Sequence, residues 1–434
     1  MGRAAHLGQS RTHGLDGRAR CRNTAWLVLA RLRAFAAVLA AAVALPAGAA
    51  AAPGLPLAAQ LDRALHVRHV RLSASAAAAI DLSSGESLYS RNGSLPLLPA
   101  SNEKLAVTYA ALTALGPDFR IETDVLGEGE QAGTVWNGNL VLKGYGDPTL
   151  SSAGLAGLAR QVRAEGITRV SGGLRADESW FDRRRTAVGW KASFYIGESP
   201  PLSALIVDRG RFGGSTSRDP ALAAARLFRT ALARAGVHVA GATAHGTADE
   251  AAVTLASVDS PPLLAMVRWM DHVSDNFEAE MVLKQLGAVQ GAGGSTAAGV
   301  GVVTGLLVQA EVPLTGVRLV DGSGLSLLDR LTANALVSLL TAMWNDPGIR
   351  PELLGSLPVA GRSGTLVHRM RGTAAAGLVR AKTGTTSNAS ALSGFVGDRY
   401  VFSVLQNGWP LAWWAARVAQ DRFANVLAVA SRTP

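Results

Sequence analysis

Cysteine is almost absent from this 434-residue chain. The single thiol, Cys21, lies within the first fifty residues, so the rest of the chain can hold no disulfide, no thiolate metal ligand and no cysteine nucleophile. Lysine is nearly as scarce: only Lys104, Lys143, Lys191, Lys284 and Lys382 stand among 42 basic residues. Where guanidinium is used so freely, a lysine points to a task that requires losing a proton, which arginine cannot do. Charged residues make up just 17% against 48% hydrophobic, a balance that excludes wholesale disorder and can bury a sizeable core. The net charge of +10 is concentrated at one end, because Met1–Ala50 holds seven Arg against Asp16 alone, which leaves +4 on the other 384 residues. That near-balanced body carries no electrostatic footprint for nucleic acid. No Gly-rich phosphate loop with its lysine is present, which argues against nucleotide use, and beyond the leader no apolar run approaches the roughly 20 residues of a spanning helix.

The first fifty residues read as a secretory signal peptide. A basic region is followed by the uncharged run Ala34–Leu45, then Pro46 and the small residues Ala47-Gly48-Ala49 that suit cleavage. Cys21 precedes the apolar run, whereas a lipid-anchor cysteine would follow it. The expectation is a protein secreted or held in the cell envelope, outside the cytoplasmic membrane, with an uncleaved N-terminal anchor as the alternative.

Past the leader, Ala76–Tyr89 reads as a hairpin around Ser83-Ser84-Gly85-Glu86, and a helix follows from Ser101 to Leu115, where Gly116-Pro117 stops it. Residues 121–255 differ in texture: short strand-like pieces alternate with Gly/Asp turns around two Ala/Arg-rich helices, Leu155–Ala164 and Ala221–Ala235. A composition shift flanked by helices on both sides predicts an inserted domain, leaving 53–120 and 256–434 as the two parts of one enclosing domain. In the second part, helices run from Pro261 through Leu286, a Gly-rich stretch covers Gly291–Gly301, and a helix spans Leu331–Trp344. Strands follow at Leu378–Ala381, Ala391–Val396 and Tyr400–Leu405, and Trp409–Ala430 closes the chain as a helix with Leu411, Trp414, Val418 and Val426 on its packed face. A peripheral membrane contact through this Trp-bearing helix is the alternative to packing on the sheet.

Three short patterns carry chemistry. Ser101-Asn102-Glu103-Lys104 puts a hydroxyl and an amine one helical turn apart on one face, and a serine becomes nucleophilic when a neighbouring lysine of lowered pKa takes its proton. Ser274-Asp275-Asn276 offers a second hydroxyl to relay a proton and a carboxamide to orient a substrate; its bland reading is a helix N-cap. Lys382-Thr383-Gly384-Thr385 continues a strand: Gly384 lets a ligand backbone lie alongside, the hydroxyls of Thr383 and Thr385 beside Lys382 suit a carboxylate, and the Thr385 amide can pair with that of Ser101 as an oxyanion hole.

In this order the three patterns resemble those of the penicillin-binding proteins and serine β-lactamases. Gly144-Tyr145-Gly146-Asp147-Pro148-Thr149-Leu150, Asp321-Gly322-Ser323-Gly324-Leu325-Ser326, and the run from Leu357-Pro358-Val359-Ala360-Gly361 through Gly364-Thr365-Leu366 to Thr385 narrow the resemblance to the D-alanyl-D-alanine carboxypeptidase/endopeptidase family of low-molecular-mass penicillin-binding proteins. It covers nearly everything after the leader. It implies an α/β (α+β) fold, a transpeptidase/β-lactamase-like domain interrupted by a smaller mixed domain, and serine carboxypeptidase activity on peptidoglycan peptides with β-lactams as inhibitors. No cofactor or metal is implied. The 173 residues from Ser101 to Ser274 are fewer than in members that nest two extra domains there, so one inserted domain is expected.

Two rival readings remain. A class A β-lactamase would need a Glu to activate the deacylating water; Glu311, 37 residues past Ser274, stands at a suitable distance but in Glu311-Val312-Pro313-Leu314-Thr315, which lacks the usual Asn. The second is a catalytically silent wall-binding protein, against which the intact Ser101, Lys104, Ser274, Asn276 and Lys382 speak. Ser323 and Ser363 complete no nucleophile elbow, His66 and His69 lack further ligands for a metal, and Asp177-Glu178 with Asp182 reads as a solvated acidic loop.

Overall fold

The structure, a computed structural model, describes residues 55–432; the expected signal peptide, with its apolar run and Cys21, lies outside the described residues. The described residues, 55–432, belong to one compact unit. Its centre is a five-stranded antiparallel sheet in the order Val379–Thr385, Ala389–Val396, Tyr400–Asn407, Ser75–Asp81, Ser87–Arg91. The expected hairpin and the three late strands are thus neighbours in one sheet. Ala389–Val396 is buried at every position, the signature of a strand covered on both faces. Helices Leu57–Leu65 and Trp413–Ala430 cover one face, while Lys104–Ala114, Leu263–Val273, Asn276–Gln290 and Ala333–Asn345 build the core on the other.

A second, mixed sheet is made wholly from residues 122–259. Its longest pair, Glu122–Ala132 and Val135–Gly144, is antiparallel, and helices Ser152–Ala164 and Pro220–Arg234 close a separate hydrophobic core against it. Its last strand, Val253–Asp259, straddles the boundary expected at 255, because Asp259 still pairs with Glu122.

Two expectations are corrected. The Gly-rich stretch runs into a helix, Thr296–Gln309, that sequence pattern missed; its Gly and Val content is poor for a helix, but a Cβ at Gly299 would sit 2.0 Å from the Leu283 carbonyl, so small residues are what let two helix backbones meet. The closing helix begins at Trp413 and buries Ala415, Ala419, Phe423 and Leu427, with Phe423 against Tyr89 and Phe402. Trp413 and Trp414 are turned outward instead, half exposed. The small Ala face lets the helix lie close on the sheet, which no large indole would allow.

Candidate active site

The nucleophile candidate stands at a sharp change of direction. Ala100 has a positive φ of 47°, then one 3-10 turn, Ala100–Glu103, leads into helix Lys104–Ala114. The turn keeps Ser101 half-buried at the helix start and sends the Lys104 side chain into the core, where it is fully buried. Lys104 Nζ lies 3.1 Å from Ser101 Oγ, 2.9 Å from Asn276 Oδ1 and 2.6 Å from the Ser323 carbonyl.

Ser274 occupies the break between helices Leu263–Val273 and Asn276–Gln290. It takes the left-handed conformation, φ 64° and ψ 44°, while the next residue, Asp275, caps the second helix by accepting the Glu278 N–H at 2.9 Å. Arg209 donates to the same Asp275 carboxylate at 2.9 Å. The N-cap is therefore Asp275, which frees its two neighbours: Ser274 Oγ accepts from Lys382 Nζ at 2.8 Å, and Asn276 Nδ2 donates to the Glu198 carbonyl at 3.2 Å.

Strand Val379–Thr385 brings the third group. Lys382 is fully buried, and Thr383 Oγ1 donates to Thr365 Oγ1 at 2.7 Å. A Cβ at Gly384 would lie 2.9 Å from the Pro99 carbonyl oxygen and 3.0 Å from the Ser101 nitrogen, so this strand runs hard against the nucleophile's turn. Thr385 is exposed at the strand end, beside Arg417 Nη2 at 3.4 Å from its hydroxyl. All eight residues expected at the site, Ser101, Lys104, Ser274, Asn276, Lys382, Thr383, Gly384 and Thr385, therefore fall on three elements that converge here.

The electrostatics suit proton transfer. Burial pulls Lys104 down to about 8, against the pull of the Asp321 and Glu280 carboxylates; burial, and next the charge of Lys104, pull Lys382 to about 7. Asp271, buried nearby and accepting from Thr108 and Ser356, is pushed up to about 6 by its own burial. A neutral amine with two N–H groups and one lone pair meets, at Lys104, two oxygens that can only accept: the Asn276 amide oxygen and the Ser323 carbonyl. The lone pair is left facing the Ser101 hydroxyl, the orientation a general base needs.

Residues with no obvious pattern complete the site. Asn102, between nucleophile and base, and the turn Asp321–Ser326 that carries the Ser323 carbonyl were not singled out for roles, although the turn's Asp-Gly-Ser-Gly run was visible. Other candidates lie elsewhere. Glu311 is exposed just past helix Thr296–Gln309 with φ 55°, and His66 faces Asp62 at 3.5 Å. The acidic loop is not solvated: Asp177 and Glu178 are buried, Glu178 takes two bonds from Arg185 and one from Ser203, and Asp182 pairs with Lys284.

The family model described as the D-Ala-D-Ala carboxypeptidase 3 (S13) family matches residues 57–218 and 213–429. The chain is 36% identical over 377 residues to carboxypeptidase DacB of Mycolicibacterium smegmatis, covering 80% of this chain and 78% of that one. It is 34% identical over 413 residues to a D-alanyl-D-alanine carboxypeptidase of Actinomadura sp., covering 76% and 77%. Among solved structures, penicillin binding protein 4 (dacB) of Haemophilus influenzae aligns with TM-score 0.75 at 21% identity over 86% of this chain and 99% of that one, a likeness of fold.

Proposed function

The chain belongs to the D-Ala-D-Ala carboxypeptidase 3 (S13) family, and from that premise we propose how its residues divide the reaction. It is a serine D-Ala-D-Ala carboxypeptidase of the penicillin-binding type. Its substrate is the peptide of peptidoglycan, which puts its place of work outside the cytoplasmic membrane; the basic, then apolar leader supports the same placement. Among the described residues no helix is long and apolar enough to cross a membrane.

Ser101 Oγ attacks the carbonyl carbon between the two D-Ala residues while Lys104 Nζ takes its proton. The amides of Ser101 and Thr385 stabilise the oxyanion. As the C–N bond breaks, a proton passes from the Lys382 ammonium through the Ser274 hydroxyl to the departing D-Ala nitrogen, and the acyl chain stays as an ester on Ser101; in the hydrolysis that follows, a water proton returns to Lys382 by the same route and Lys104 gives its proton back to Ser101. Water then attacks that ester and restores the hydroxyl. Asn276 orients the peptide, and Thr383, Thr385 and Lys382 hold the terminal carboxylate, with Gly384 leaving room for the peptide backbone along the strand. A β-lactam meets the same serine and forms the same kind of ester. Residues 122–259 are the inserted domain of this reading, supported by their own sheet and core.

The single observation that carries the assignment is the buried Lys104 amine 3.1 Å from Ser101 Oγ, with both of its N–H groups given to fixed acceptors. The test is to incubate purified protein with a peptide ending in D-Ala-D-Ala and follow free D-Ala. Release is expected from the unaltered protein and absent from Ser101→Ala; release by the Ala variant at an undiminished rate overturns the assignment. Attack on a cross-linking D-Ala bond would release a peptide instead, and product masses from cross-linked wall fragments measure that endopeptidase share.

A further inference from the structure

Behind Lys104 lies a group of four buried carboxyls, Glu103, Glu280, Asp321 and Asp329, which the reaction as described does not use. Their bonds are unequal. Asp321 accepts the N–H groups of Gly324 at 2.7 Å and Ser326 at 2.8 Å, and Trp190 Nε1 at 2.7 Å. Glu280 Oε1 accepts the N–H of Gly322 at 2.9 Å and that of Ser323 at 2.8 Å, while its Oε2 and that of Glu103 have no partner, and Asp329 shares a side-chain hydrogen bond with Asp321. These bonds fold Asp321–Ser326 into a turn tied down at four successive or near-successive amides. Its outward product is one carbonyl, that of Ser323, 2.6 Å from Lys104 Nζ. Gly324 makes the turn fit: it has φ 78°, and a Cβ there would come 1.9 Å from the Ala100 carbonyl oxygen, directly beside the nucleophile.

We propose that Glu280 is a positioning residue for Lys104: it fixes the Ser323 carbonyl so that one N–H of the amine has a single place to go, and the lone pair stays on Ser101. The inference rests on the assignment of Lys104 as the base. Glu280 lies four residues after Asn276 on helix Asn276–Gln290, one turn apart on one face. That helix thus supplies both constraints on the amine, one directly through the Asn276 amide oxygen and one through Glu280 and the Ser323 carbonyl. What Glu280 contributes to this positioning is an acceptor oxygen at a fixed distance, which a carboxamide on a side chain of the same length also supplies.

The contrast between acceptor and mere filler gives the test. Glu280→Gln retains the acceptor at the same distance, Glu280→Asp withdraws it by one methylene, and Glu280→Met fills the space without it. The readout is β-lactam acylation, split into the non-covalent dissociation constant and the maximal acylation rate, at about pH 9.5, where Lys104 is mostly neutral in every variant. The expected result is a maximal rate within about threefold of the unaltered protein for Gln and a loss of about tenfold or more for Asp and Met, with the dissociation constant unmoved in all three. The Asp variant, which keeps a carboxyl in the cavity, decides the matter if Met does not fold. A rate within twofold in a folded Asp or Met variant overturns the proposal, and so does an equal loss in Gln. Peptide mapping of the adduct separates the two readings: a label away from Ser101 in the unaltered protein removes the base assignment and this inference together, whereas a label on Ser101 that ignores Glu280→Asp removes the inference alone.

Discussion

Asn102 ties the nucleophile's turn to the substrate strand: its Nδ2 donates to the Lys382 carbonyl at 3.0 Å, and its Oδ1 accepts from Ser393 Oγ at 2.6 Å. Ser393 Oγ, its one hydrogen given to Asn102, accepts in turn from Ser403 Oγ at 2.8 Å, so one fully buried amide joins the Ser101 turn to three adjacent strands. Asn102→Ala leaves a buried carbonyl and a buried hydroxyl each short of a partner, at about 1–3 kcal/mol apiece. The expected outcome is a clear drop in the unfolding midpoint together with slower acylation, since Lys382 and Ser101 lose their common reference. Denaturant unfolding and penicillin labelling check it; unchanged stability would show that the amide is not the tie.

Lys104→Arg separates a base from a cation. Arginine stays protonated, so it can occupy the cavity but cannot take the Ser101 proton. Acylation is expected to fall by about 10²–10⁴, the usual contribution of a positioned base. Near-normal acylation would move the role to Lys382 or to a water.

Much of this site was legible because its chemistry depends on local spacing. Ser101 and Lys104 are one turn apart, Lys382 to Thr385 are consecutive on a strand, and neither relation needs tertiary knowledge. Ser274 and Asn276 were legible as a pattern, but that Asp275 between them would take the cap, leaving both side chains to face the lysines, depends on the left-handed turn at Ser274. Glu280, Asn102 and the Ser323 carbonyl act across contacts between residues 42 to 291 positions apart, which no periodicity encodes. Glycine misled in the same way: at Gly299 it signals close helix packing rather than a loop. Acidic residues misled too, since Glu178 is buried through partners, Arg185 and Ser203, that a linear reading does not place beside it.

Gly384→Ala tests the closeness of strand and turn. The new Cβ would meet backbone on the facing segment, at 2.9 Å to the Pro99 carbonyl and 3.0 Å to the Ser101 nitrogen, and backbone cannot swing aside as a side chain does. Moving Ser101 by a fraction of an ångström to an ångström costs up to about 10² in rate. Acylation should fall to that extent while the fold survives; full activity would mean that the two segments part without cost.

The two lysines predict opposite pH effects on the two steady-state constants. Lys104 serves as base only when neutral, so with its pKa at about 8 the maximal acylation rate should climb roughly tenfold per pH unit below that value and level off above it. Lys382 holds a carboxylate only when charged, so with its pKa at about 7 substrate binding should weaken as pH rises past 7, the midpoint moving upward when the anion is bound. A pH series of kcat and KM on a D-Ala-D-Ala peptide checks both signs. A kcat that falls between pH 6 and 8 would contradict Lys104 as the base.

The fate of a penicillin adduct separates a peptidase from a β-lactamase. Both acylate Ser101, but a class A β-lactamase hydrolyses its penicilloyl ester rapidly by means of a carboxylate that activates water at the acyl carbon. Glu311, the candidate by sequence distance, is exposed beyond the end of helix Thr296–Gln309 and shares no hydrogen bond with Ser101, Lys104, Ser274 or Lys382. The carboxyls behind the base are no substitute, because Glu280 and Asp321 are buried and already accept backbone N–H groups of the Ser323 turn. A D-Ala peptide opens the site to water when its terminal residue leaves, whereas the opened β-lactam ring stays attached and blocks that approach. Intact mass should therefore show a penicilloyl adduct on Ser101 lasting minutes or more, with a lifetime that Glu311→Gln leaves within about twofold. Catalytic turnover of penicillin that disappears in Glu311→Gln would reverse the assignment.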